Sequence, residues 1–316
     1  MNKSGKIVLA IIWFIIALCL TKILIRGLNG DSFFSLNNWS FHIGFDKKVS
    51  GELLNPSETR SNTNIYELTN NISSLDISLV HEELFLEIWD NNYIEITVES
   101  SFSEEKRPKV YLDNDILRIK VPNRNNIKLS MNDDMVIVKL PKVIAENLNQ
   151  NQVELVSGQV DISNIIAKKM EISTVSGNVS ISDCDFSYLD IESVSGTTEV
   201  LDCVVEELDA ESVSGKTEIS SDIKETFDIN SVSGKIVVSS NTMPKNDCDI
   251  ESVSGSVNIS LPENSGFTLN YESVSGKVTN DFTSFSGKKS GTNVYKNGET
   301  HFDVDTISGS ITISKN

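Results

Sequence analysis

The tripeptide Val-Ser-Gly recurs through the second half of this chain and constrains the fold more than any other feature. It ends at Gly158, Gly177, Gly196, Gly215, Gly234, Gly255 and Gly276, and an Ile-Ser-Gly variant closes the series at Gly309. The first four intervals are 19 residues, the next two 21 and the last 33. A period near 20 marks a solenoid, in which one repeat cannot bury its apolar face alone and stacking buries it against copies above and below.

Counting from each glycine gives apolar columns. Five residues before it stand Val153, Ile172, Ile191, Ala210, Ile229, Ile250, Tyr271 and Val304. Two after it stand Val160, Val179, Thr198, Thr217, Ile236, Val257, Val278 and Ile311, and four after it Ile162, Ile181, Val200, Ile219, Val238, Ile259, Asn280 and Ile313. The residues between are mostly polar, as period-two strands with one wet face require. The valine of the tripeptide is expected as an inward plug and the glycine as a corner between two strands. The serine is expected to brace that corner by hydrogen bonding to nearby backbone. Eight such coils make a parallel β-solenoid, or β-helix, over residues 151–316. Cys184 and Cys203 fall in one column as vertical neighbours, either as a disulfide or as two buried thiols. Cys248 shares a core column with Met170, Leu189, Leu208 and Phe227.

Upstream, residues 65–150 alternate without an exact repeat (Leu75, Ile77, Leu79; Leu84, Leu86, Ile88; Ile94, Ile96, Val98) and read as an N-terminal β module. Residues 7–25 carry one charge, Lys22, and have the length of a transmembrane helix. They follow a short tail, 1–6, and precede a juxtamembrane linker, 26–64, holding Phe33, Phe34, Trp39, Phe41 and Phe45. Leu18 before Cys19 does not fit a lipobox. The expected localisation is the cell membrane, single-pass, with the C-terminal domain outside the cytoplasm. The expected fold class is therefore all-β, a solenoid with an N-terminal β module, preceded by one transmembrane helix.

Charge narrows the function. The formal net charge is −18, and 26 acidic against 11 basic residues follow position 150. No arginine follows Arg124. Such a surface excludes nucleic acid as a partner, because phosphate binding needs Lys and Arg. Acidic residues stand six before the glycine (Glu171, Asp190, Asp209, Asp228, Asp249, Asp303) and four before it (Glu154, Glu192, Glu211, Glu251, Glu272, Asp305). They read as a solvated face. A Ca²⁺ site would need six to eight oxygens, which one strand face does not supply. His42, His81 and His301 show no metal-ligand spacing, and His81-Glu82 lacks the second histidine of a zincin motif. No nucleophile elbow is present. No catalytic, cofactor-binding or metal-binding residue is assigned and no cofactor is expected; the eight repeat glycines are structural.

The repeats TVSGNVSIS and SVSGKTEIS, with LDISLV, YLDNDILRIKVP, VIVKLP and the closing FDVDTISGSITIS, resemble the bacterial putative-adhesin domain family of β-strand-repeat proteins, a domain of unknown function. An N-terminal anchor before such a domain is similar to LiaG-type proteins of the bacterial cell envelope. The resemblance covers residues 65–316. It implies a non-enzymatic envelope protein, linked to the envelope stress response, whose adhesin-like solenoid serves interaction or scaffolding. Its partners would be the membrane and an unknown protein or cell-wall component. The alternative is a β-helical protein that acts on or binds polysaccharide.

Overall fold

The computed structural model describes residues 49–122, 134–283, 285–286 and 289–316. The candidate membrane span 7–25, Cys19, the linker aromatics and His42 lie outside them, as does Arg124. No helix among the described residues is long and apolar enough to cross a membrane.

The described chain is all-β apart from a short helix at Lys142–Ala145 and one 3-10 turn at Glu104–Lys106. Strand Leu148–Ser163 pairs in parallel with Ile166–Ser182 and aligns glycine on glycine, Gly158 with Gly177, at a shift of one 19-residue repeat. The next ladder runs unbroken from Asp185 to Ser239. The expected columns at five before, two after and four after the glycine face inward and are buried. Fully burying one such Val or Ile contributes about 1.5–3 kcal/mol, so the stacked columns are the main source of stability.

The valine two before the glycine does not plug the core. Val156, Val175 and Val194 are half-buried, and Val274 is 44% exposed. The reason is periodicity: positions five and two before the glycine are three apart and face opposite sides of one strand. The inward residue is the one before the valine, namely Leu155, Thr174, Ser193, Ser231, Ser252, Ser273 and Thr306, all buried.

The solenoid also begins earlier than the exact repeat. Strand Ser74–Leu79 pairs in parallel with Asn151–Leu155, and Glu83–Trp89 with Val160–Ile162. Leu84 therefore stacks on Val160 and Leu86 on Ile162. A further coil, Ile116–Lys120 and Met135–Pro141, stacks outside these. Antiparallel strands Lys109–Asp113 and Ile94–Glu99 close that end. Solenoids need such caps because an open rung invites edge pairing.

At the other end the chain departs from sequence order. The coil at Phe267–Ser273 and Val278–Asn280 does not pair with the coil before it. The last segment, Thr300–Thr306 and Ile311–Lys315, inserts between them: it pairs with Cys248–Ser254 and Val257–Leu261 on one side and with the 267–280 coil on the other. The coil of Gly276 is thus outermost, and that of Gly309 sits beneath it. Strand Ser290–Tyr295 runs antiparallel on the outer rung, and Phe267, Phe282, Tyr295 and Phe302 pack together to seal the end.

Candidate functional site

The corner column explains the glycines. A Cβ placed on Gly196 would lie 2.1 Å from the carbonyl oxygen of Gly177, and one on Gly215 would lie 1.8 Å from that of Gly196. The same holds for Gly234, Gly255, Gly309 and Gly276, each against the glycine of the coil beneath it. The coils stack backbone to backbone here, and only hydrogen fits. Positive φ is secondary: Gly158 and Gly196 have φ of 121° and 136°, whereas Gly177 and Gly234 do not enter that region. The serine before the glycine bonds to neighbouring backbone at the column's two ends, Ser157 to Val80 O and Ser275 to Ile307 O. Three before the glycine, Ser273 Oγ accepts the Gly276 N–H at 2.8 Å and donates to Gly309 O at 3.1 Å.

At the amino-terminal end the corner is built differently. The pairing that sets Leu79 on Leu155 and Leu84 on Val160 puts His81 at the serine position and Glu82 at the glycine position. Glu82 is fully buried, and its Oε2 accepts the N–H groups of Val80 (3.0 Å) and His81 (3.1 Å). In the next coil outward, Asp134 occupies the same column, since Met135 pairs with Glu83. His81 Nε2 lies 3.2 Å from Asp134 Oδ2, and its Nδ1 lies 3.8 Å from Glu82 Oε2. Asp134 also accepts the Ser101 N–H at 2.7 Å and the hydroxyls of Ser100 and Ser101 at 3.3 Å each. Phe102 packs edge-on against the imidazole at 5.4 Å.

Beside this corner lies a cleft of about 620 Å³, lined by Ser61, Asn62, Ser100–Glu104 and Arg107. Arg107 is buried and donates to Asn64 Oδ1 and to the carbonyls of Phe102 and Ser61. Among the described residues, His81, Glu82 and Asp134 are the one group of three potential metal ligands, their ligand atoms within 4.8 Å of one another. The same groups already receive backbone and hydroxyl hydrogen bonds. The arrangement closes, through side-chain hydrogen bonds, a corner that lacks glycine. In the sequence His81 and Glu82 are adjacent, but Asp134 lies 53 residues from His81 and no spacing joins it to them. The usable signal was Leu-Val-His-Glu-Glu-Leu lying in the register of Leu-Val-Ser-Gly-Gln-Val.

The acidic columns face outward on the strands before the corner. Glu171 pairs with Asp190, Asp228 with Asp249, and Asp249 with Asp303. Glu251 pairs with Asp305, which pairs with Glu272. The flanking strands desolvate Asp228, and Asp209 and Asp249 repel its charge, so its carboxyl is pushed up to about 6. Asp249, Glu251 and Asp305 shift upward for the same reasons, desolvation first and neighbouring carboxylates second. At one end of this face Tyr188 donates to Asp209, and Lys169 sits 5.1 Å over the Tyr188 ring.

Cys184 and Cys203 are stacked as the columns imply. Both are buried free thiols, and the Cys184 N–H donates to Cys203 Sγ at 3.4 Å. Cys248 is buried opposite Phe302, and desolvation pushes its thiol up to about 12.

A family profile described as Toastrack DUF4097 matches residues 72–314. A Bacteroides fragilis protein described as a putative adhesin has a solved structure similar to this chain. The TM-score is 0.54 at 12% identity, over 82% of this chain and 99% of that one. A Parabacteroides merdae putative adhesin gives a TM-score of 0.44 at 10% identity, over 82% and 98% of the two chains. A Clostridium sporogenes putative cell adhesion protein gives 0.29 at 15% identity, over 80% and 99%. No curated protein matches the chain.

Proposed function

The chain belongs to the Toastrack DUF4097 family, and from that premise we propose that it is a non-enzymatic, membrane-anchored envelope protein whose extracytoplasmic solenoid binds or scaffolds a partner. The observation that carries this reading is the outer face before the glycine corners. There, two columns of carboxylates are held in register on a ladder-paired rod. Rigid spacing spares a bound partner the cost of ordering the surface, and focused negative charge draws a cationic one. The Bacteroides fragilis protein of similar fold is described as a putative adhesin, which accords with this reading. The partner suited to this face is a basic protein segment or a cationic cell-wall polymer.

The test is cross-linking and capture from intact cells, comparing the native chain with Asp190→Asn/Asp209→Asn/Asp249→Asn. Capture that weakens with salt and is lost in the triple variant supports the reading. Capture indifferent to both overturns the acidic face as the binding surface. Turnover of a glycan by the purified chain, abolished by one or two carboxylate substitutions, would overturn the non-enzymatic reading. Protease access to the domain on intact cells tests its placement outside the cytoplasm.

A further inference from the structure

A second surface lies at the far end of the strands that follow the corner, away from the acidic columns. Strand Glu83–Trp89 ends in the turn Asp90–Asn92, and strand Thr63–Leu68 ends in the turn at Asn70–Asn71. The two turns and the helix Lys142–Ala145 enclose a cavity of about 330 Å³ with Trp89 in its wall. Three contacts fix the indole. Its Nε1 donates to Tyr93 O at 2.8 Å, the Tyr93 ring meets it edge-on at 4.7 Å, and Lys139 Nζ lies 5.5 Å from its centroid. Four asparagines, Asn70, Asn71, Asn91 and Asn92, stand exposed around the cavity, and their side-chain amides hydrogen-bond to no described residue. The lining carries one acid, Asp90, and one base, Lys142.

The geometry points to a binding site for an uncharged sugar unit of an oligosaccharide. A pyranose has an apolar C–H face and a rim of hydroxyls that both donate and accept. An indole held in one orientation offers the flat apolar partner. Each asparagine amide offers one acceptor oxygen and two N–H donors, which match vicinal hydroxyls. The volume is in the lower range of small-ligand pockets, and the balanced charge favours a neutral ligand in a chain that otherwise repels acidic glycans. This inference goes beyond the acidic-face reading and uses different strands, so either can fail alone.

The experiment is calorimetric titration of the purified full-length chain, in a detergent without a sugar headgroup, with uncharged oligosaccharides of glucose and of N-acetylglucosamine. The expected result is saturable binding of at least one of them. It should weaken at least tenfold in Trp89→Ala and in Asn91→Ala/Asn92→Ala, with the melting temperature of the asparagine variant unchanged. Three results would overturn the site: no binding to any uncharged oligosaccharide, equal binding by the asparagine variant, or Trp89-dependent binding to phosphatidylcholine vesicles in place of sugars. Salt-sensitive partner capture that persists in the asparagine variant would leave the acidic-face reading standing whatever the sugar result.

Discussion

A single hydrogen decides the corner. Gly215→Ala would place a methyl carbon 1.8 Å from the carbonyl oxygen of Gly196, and backbone cannot yield as a flexible side chain does. The expected loss is about 3 kcal/mol or more in denaturant unfolding. Two residues away, Val213 is half-buried on the outer side, and Val213→Thr should cost under about 1 kcal/mol. Equal losses at the two sites would restore the valine as the plug. Glu82 is the converse case, a carboxylate in the column where the eight repeat coils have glycine. Glu82→Ala leaves the N–H groups of Val80 and His81 without their acceptor. A buried donor without a partner costs about 1–3 kcal/mol, so this change should rank among the most destabilising at the amino-terminal end. The tripeptide was legible as a corner, but the inward residue just before it was not. Serine and threonine three before the glycine look polar in sequence, and only the ladder shows them facing in.

Strands carry the charge effects, because a column of carboxylates exists only once coils are stacked. Asp228, Asp249, Glu251 and Asp305 have folded-state pKa values raised above their ordinary ones. The folded state therefore binds protons more tightly than the unfolded chain, and ionising these groups works against folding. As pH falls from 7 through about 6, where Asp228 titrates, stability should rise. The gain ends near the ordinary carboxylate range, where the unfolded chain is protonated too. Glu58, Asp113 and Glu263 are shifted downward, chiefly by hydrogen bonds from Arg60, Ser50 and Lys315 respectively. Their contributions are lost only on further acidification. Thermal melts across this range should therefore show a maximum in mild acid, and Asp228→Asn should flatten the rise between pH 7 and 5. A melting temperature that falls steadily from pH 7 would contradict it.

For the molecule as a whole, the inserted last segment is the main consequence of topology. Among the described residues, strand Phe267–Ser273 has its parallel partner only in Thr300–Thr306, and Val278–Asn280 only in Ile311–Lys315. Strands Phe267–Ser273 and Val278–Asn280 thus have no rung to stack on until residues 300–316 are in place. Ending the chain at residue 299 should make 267–299 sensitive to protease while the coils of Gly158 to Gly234 stay protected, read by limited proteolysis and mass spectrometry. Protection of 267–295 in the shortened chain would show that the outer coil can rest directly on its predecessor. The 33-residue interval before Gly309 announced an excursion, but not that the chain returns beneath the coil it had just made.

The sequence alone determined the all-β class, the stacked coils, three of the inward columns and the acidic outer face. Those properties follow from period two within a strand and period 19 between coils, and both are written locally. The tertiary structure decided what depends on which coil meets which. That Leu-Val-His-Glu stacks on Leu-Val-Ser-Gly is decided by the parallel pairing of Ser74–Leu79 with Asn151–Leu155. Asp134 reaches His81 from a coil more than 50 residues away, and the Trp89 cavity is assembled from two turns and a helix. The order of the last two coils is likewise a matter of pairing. The two coils fill the same columns, Tyr271 and Val304 five before the glycine and Val278 and Ile311 two after it, and only the strand pairing shows which of them lies outermost.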